Sequence, residues 1–447
     1  MSRFRLTVLL AVTTAFCPLA GMAQSTAAPA DQNACQAITP LTCLNQTLPS
    51  WLRFSGEERL RLEGFTGSSF QPNSSDAYVL NRLRLGMNIV PAAWLRFSFE
   101  MQDSRVGGKN LKPYAPPYQD TFNLRQSYAE FGNLEQYHVA LKVGRQEINL
   151  GEERLVGSSN WTNTARTFDA ARLSLRQGKF RLDAFASSPV ALHDGDVGDH
   201  VPGNNLHGLY GGMDNVVPQA KIEPFLFWRL TQRQKTEAGK LGDLDFTTVG
   251  IRWVGKIAGD FDYGLEVAKQ QGSLGTDSIS AWAGHWILGR RFDLPLNPRL
   301  FAEYNYATGD GSGADGRRHT FDQLFPSGHE KNGLADLVGW RNIMHGRMGL
   351  DWKPGARWSS SIKYSRYWLA DAHDALYNSS GTAIFRKADG SAGRNVGSEI
   401  DAVLQYQFSK RYSFGGGFAH LFTGSFLQRT TPGKAYNYPY FMLTAAL

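Results

Sequence analysis

Arginine recurs at alternate positions in "LNRLRLGMNIV" (80–90), where Arg82 and Arg84 interleave with Leu83 and Leu85. A period of two puts side chains on one face of a strand, so the two guanidinium groups share a face that the leucines avoid. The same alternation groups Arg53, Arg59, Arg61, Arg96, Lys142, Arg172 and Arg181 with Glu57, Glu63, Glu100 and Asp183 on early polar faces. Later polar faces carry Arg252, Arg347 and Lys363 against Asp262, Glu266, Asp351, Glu399 and Asp401. One set is mainly basic and the other mainly acidic. A guanidinium fork matches a carboxylate through two parallel hydrogen bonds. The chemistry on offer is therefore sorting of anions by charge, or bracing of the fold by arginine–acid pairs.

Bond-making chemistry has no signature here. The ten histidines form no HExxH, and no GxSxG is present. "GSGADG" (311–316) fits GxGxxG, but no helix follows it, so no dinucleotide is expected. Asp310 and Asp315 are candidate calcium ligands, although their spacing is not that of an EF-hand. The expectation is no enzyme and no cofactor.

The elements that must carry these residues are strands. "WLRFSFEMQD" (94–103) alternates Leu95, Phe97, Phe99 and Met101 with Arg96, Ser98, Glu100 and Gln102. The opening "MSRFRLTVLLAVTTAFCPLAGMAQS" has the basic, apolar and small-residue order of a secretory signal peptide, here residues 1–23. Residues 24–50 read as a periplasmic lead, in which an oxidising compartment would join Cys35 to Cys43. No later run approaches 18 apolar residues, which excludes helical spans, and the mean hydropathy of −0.34 does not count against alternating strands. Net charge is +7, or +5 without Arg3 and Arg5.

Residues 51–447 contain seventeen evident strands of about ten residues, the length of a tilted membrane strand. Their connections alternate long and short from both ends, with 231–245 and 271–277 among the long loops, but the two halves are out of phase. One more strand, "NLHGLYGGMD" (205–214), restores the phase. The expected fold is all-β: a single closed antiparallel transmembrane β-barrel of about 18 strands, with short periplasmic turns and long extracellular loops. Trp94, Trp253, Trp352, Trp358 and Trp368 lie near strand ends, where aromatic girdles sit. In this arrangement Arg82, Arg84 and Arg96 are expected close together on one basic wall.

Several stretches resemble the alginate-export family of outer-membrane porins. They are "FNLRQSYAEFG" (122–132), "VGRQEINLGEERLVGSSNWTNTARTFDAARL" (143–173), "EYNYATGDG" (303–311), "FDQLFPSGHEKNGLADLVGWRNI" (321–343), "WLADAHDALYNSSG" (368–381) and "VGSEIDAVLQYQFSK" (396–410). The resemblance implies an eighteen-stranded barrel with an arginine-rich pore, and places Arg125, Arg145, Arg166, Asp169 and Arg172 around its constriction. Two registers stay open: Arg125 and Glu130 fall on opposite faces of one strand, and Arg145 falls on an outward position. With Arg82, Arg84, Arg96, Lys142, Arg181, Arg252, Glu266, Arg347, Glu399 and Asp401, these form the candidate pore lining. The expected function is a bacterial outer-membrane channel for anionic, uronate-like oligo- or polysaccharide. The alternative is an uptake porin for small anionic solutes. Expected partners are membrane lipid and the anionic solute, with no nucleic acid; any periplasmic partner is left open.

Overall fold

The computed structural model describes residues 40–236, 239–257 and 260–447. The expected signal segment and Cys35, and with it the expected Cys35–Cys43 pair, lie outside the described residues. Eighteen long strands make the wall. They are β1 (Leu52–Thr66), β2 (Ser75–Ala92), β3 (Leu95–Gly107), β4 (Asp120–Asn133), β5 (Val139–Gln146) and β6 (Phe168–Gln177). Then come β7 (Phe180–Ala191), β8 (Asn204–Asp214), β9 (Ala220–Lys235), β10 (Leu241–Ile257), β11 (Phe261–Leu274) and β12 (Asp277–Arg291). The last six are β13 (Arg299–Ala307), β14 (Ile343–Trp352), β15 (Trp358–Leu369), β16 (Asn395–Gln407), β17 (Tyr412–Thr423) and β18 (Tyr436–Ala446). Each pairs antiparallel with the next, and β18 pairs with β1, so the sheet closes without an edge. The strand inferred from loop phase alone is β8, paired with β7 and β9.

Alternation decides which side each residue takes. On β1, Leu60 and Leu62 face outward while Arg59, Arg61 and Glu63 are buried. Adjacent residues on β14 differ most: Met348 is 69% exposed and Arg347 only 5%. This inverts a soluble sheet, where apolar residues go inside. It suits a wall whose outer solvent is lipid.

The open register of β4 is settled by a β-bulge. Glu100 of β3 opposes Gln126, and Met101 opposes Leu124, so Arg125 is the extra residue. The insertion shifts the phase by one. Arg125 and Glu130 both point inward as a result, where they meet Glu100 and Arg96 respectively. Two connections differ from expectation. Segments 231–245 and 271–277 are largely strand, with β11 and β12 joined by Gly275 and Thr276. Their polar residues extend the hairpins beyond the apolar band, and Gly275 supplies the positive φ of 58° that the turn needs.

The lumen is not simply wet. Two long connections, loop A (147–167) and loop B (308–342), fold into it. They meet at a parallel bridge between Val156 and Phe325, with Phe325 N–H donating to Leu155 O at 2.8 Å and Gly157 N–H to Phe325 O at 2.9 Å. Ile148, Leu150, Leu155, Phe321 and Phe325 of these loops share one apolar cluster with the inward Phe185, Tyr210, Phe225, Phe227 and Phe246 of β7–β10. Gly208 lets those rings lie against the backbone, since a Cβ there would meet Phe185 at 2.5 Å and Phe227 at 2.8 Å. Helix α1 (Pro40–Thr47), within the expected lead, docks on β1: Asn45 exchanges hydrogen bonds with the backbone N–H and carbonyl of Phe54.

Candidate functional site

The basic wall forms because β1 and β2 pair with their arginines level. Arg59 lies opposite Arg82, a like-charge pair that would repel if left alone. Loop A resolves the conflict with backbone carbonyls. Arg59 donates to Asn160 O at 2.8 Å and to Trp161 O and Thr162 O at 3.1 Å each. Arg61 donates to Trp161 O at 2.6 Å, and Arg82 to Asn160 O at 2.9 Å and Glu57 at 2.7 Å. Arg84 Nε donates to Gln102 at 2.6 Å, and Gln102 passes the contact to Thr164 O at 2.8 Å. Arg125 pairs with Glu100 and Glu147. Trp161 carries Arg61 at 3.9 Å and stacks on His329 of loop B at 3.7 Å.

The opposite wall grips loop B with charges of both signs. Glu399 Oε1 accepts from the Ala335 N–H at 3.1 Å, and Asp401 lies beside it on β16. Arg347 donates to Glu330 O at 3.2 Å and Glu303 at 3.3 Å, while Lys363 pairs with Glu330 at 3.5 Å. Between the walls, loop A contributes Glu152 and Arg154. Arg154 pairs with Glu303 at 3.2 Å, and Arg252 bridges Glu152 at 3.0 Å and Glu223. Glu266 is buried near this network. Burial pushes the Glu152 carboxyl up, but Arg154 and Arg252 outweigh it and hold it down at about 2.

The periplasmic half carries a second charged belt. Arg96 faces inward there, half exposed, 3.7 Å from Glu130. Lys142 lies 4.3 Å over Tyr128, and Asp183 pairs with Arg172 at 3.0 Å and Arg181 at 3.2 Å. At the extracellular end, a cavity of 880 Å³ is lined by Tyr78, Lys109, Tyr118, Trp161, Tyr436 and Tyr438, among others.

Four candidate residues sit elsewhere than expected. Arg145 and Asp169 pair through two hydrogen bonds of 2.8 and 3.1 Å on the outer face, because both fall on outward positions of β5 and β6. Arg166 is a clamp between the loops, donating to Gly157 O at 3.1 Å and Pro326 O at 3.0 Å. Arg96 does not join Arg82 and Arg84. Arg84 opposes Gln102, and Arg96 lies six positions further along β3, roughly 20 Å away at ~3.4 Å per residue. Glu152, Arg154, Asn160, Trp161, Glu303, His329 and Glu330 were missed. The apolar Ile148, Leu150, Leu155 and Val156 in an apparent extracellular loop were the available signal. Asp310 accepts the N–H groups of Ser312 and His319, and no cluster of three metal-ligating side chains occurs among the described residues.

A closed eighteen-stranded barrel with an apolar outer band, a charged interior and inserted loops is a channel of the bacterial outer membrane. The chain belongs to the alginate export family, whose profile matches residues 50–441. Among solved structures it is similar to Pseudomonas aeruginosa OccK2 in complex with glucuronate, at 11% identity and a TM-score of 0.58, covering 88% of this chain and 98% of that one. Pseudomonas aeruginosa OccK3 is 14% identical with a TM-score of 0.56, over 88% and 95% of the two chains. Acinetobacter baumannii OccAB2 is 11% identical with a TM-score of 0.57, over 88% and 98%. These likenesses are of fold. No curated protein matches the chain.

Proposed function

We propose that the channel passes anionic, uronate-like oligo- or polysaccharide. The observation that carries this reading is the state of Arg59 and Arg84. Both are buried in the lumen wall, and their hydrogen-bond partners among the described residues are neutral: loop A carbonyls for Arg59, and Gln102 for Arg84. Neither pairs with a carboxylate: Glu57, opposite Arg84 on the ladder and two residues from Arg59, is bonded to Arg82 instead. The unpaired guanidinium charge in a low-dielectric frame focuses a field that attracts anions. The periplasmic belt adds Arg96, Lys142, Arg172 and Arg181 against Glu130 and Asp183. The alginate export family and the glucuronate held by OccK2 are consistent with a uronate cargo.

A second reading, a porin for small anionic solutes, is favoured by the two loops packed across the lumen, which leave less room for a polymer. Planar-bilayer recording with uronate oligomers of rising length separates the two. A polysaccharide channel should be half-blocked at lower concentrations as the oligomer lengthens. A small-solute porin should show no dependence on length. Equal block by neutral oligosaccharides would contradict both.

A further inference from the structure

A separate cavity of 280 Å³ lies at the extracellular end of β9 and β10, beneath loop B and loop C (370–394). Its lining includes Arg229, Arg318, Arg341 and a single acid, Asp322. Arg229 points inward from β9 and donates to Asp322 at 2.7 Å. Arg341 lies 4.3 Å over Tyr377 and donates to Gly381 O at 3.3 Å. The Nε atoms of Arg229 and Arg341 are buried and make no hydrogen bond to the protein. Burial would raise the Asp322 carboxyl, but Arg229, Arg341 and Arg318 together bring it below the usual aspartate range. Arg229 and Arg341 thus line the cavity beside its one lining carboxylate, two guanidinium groups to one acid. None of the three arginines belongs to the basic wall on β1–β4.

We propose that this cavity is a carboxylate-binding subsite, at which Arg229 and Arg341 hold the carboxylate of an incoming uronate before it reaches the basic wall. Asp322 acts as its internal competitor, occupying Arg229 when no solute is bound. The proposal rests on the reading of the channel as one for anionic solutes. Its geometry fits the fork of a guanidinium better than a neutral sugar, which brings no charge to offset the buried donors.

The two partners give variants of opposite sign. Arg229→Gln removes a charge-assisted contact, and should weaken glucuronate binding about tenfold. Asp322→Asn removes the competitor, while the remaining amide oxygen still accepts the Leu324 N–H that Asp322 accepts at 2.8 Å. It should tighten glucuronate binding severalfold. Titration calorimetry of glucuronate into the full barrel in detergent micelles reads both, with glucose as the neutral control. Opposite shifts for glucuronate, with none for glucose, support the subsite. Equal affinity in all three proteins, or no binding to the unaltered barrel, overturns it. If Arg229→Gln does not fold, the direction of the Asp322→Asn shift decides alone. Conductance block by glucuronate is recorded in parallel. Binding that shifts as described without any block would sink the channel reading and leave the subsite standing.

Discussion

Arg347 and Met348 are joined by one peptide bond and live in different solvents. The register of β14 sends the guanidinium to Glu303 and the thioether to lipid. Met348→Arg should therefore destabilise the barrel by roughly 2–4 kcal/mol if the position is near the bilayer midplane, and less towards an interface. Equilibrium refolding into lipid vesicles measures it, and an unchanged midpoint would mean that the faces are assigned the wrong way round. Such alternation is legible in sequence because it needs only a period of two. That is why Arg82, Arg84, Arg172, Arg181, Arg252 and Arg347 were placed inward from their spacing. It fails where the backbone breaks the period: nothing in "LRQSYAEFG" marks Arg125 as the residue that bulges. Arg145 and Asp169 illustrate the converse error. Their own alternation pointed outward, and the structure keeps them there, paired with each other and with Arg145 also donating to the carbonyls of Leu124, Val197 and Gly198.

Loops A and B were legible as long connections but not as lumen contents, because chain length alone does not say which way a loop folds. The arginines that suggested a bare charged wall prove to hold loop A. Hydrogen bonds to charged groups contribute about 1.5–3 kcal/mol each, so Arg82→Ala should loosen the segment at Asn160 without unfolding the barrel. Single-channel recording should show larger and noisier conductance, and limited proteolysis should cut near residues 158–164. A quiet, unchanged channel would mean that loop A is held by its apolar contacts alone. The anchor at Glu152 has a defined pH range. Its folded pKa, about 2, lies below the ordinary 4.5. Its contribution is therefore complete above about pH 4.5 and is lost only as pH falls towards 2. Channel noise should stay flat from pH 7 to 5 and rise in stronger acid. A rise between pH 7 and 5 would mean that Glu152 is not what holds the loop.

The strand count was legible because turn and loop lengths alternate around a barrel whose strands begin and end on alternate sides. The positions of 231–245 and 271–277 were not, because polar strand extensions and polar loops have the same composition. Closure itself is testable. Leu60 of β1 opposes Leu443 of β18, at the Cα spacing of about 4.5–5.5 Å of an antiparallel pair, which a disulfide can bridge. With Cys35 and Cys43 replaced by Ser, Leu60→Cys with Leu443→Cys should oxidise to an intramolecular cross-link that shifts gel mobility until reduced. Failure of the pair to cross-link in a folded barrel would argue against the β1–β18 seam.

The lumen should prefer anions because its wall holds guanidinium groups, those of Arg59 and Arg84, that pair with no carboxylate among the described residues. The most direct test is the reversal potential of the unaltered channel across a salt gradient, at low and at high ionic strength. The Debye length falls from about 10 Å at 0.1 M to about 3 Å at 1 M. The potential should show anion preference at low salt that fades as salt rises. Cation preference, or a preference that salt does not weaken, would contradict the account.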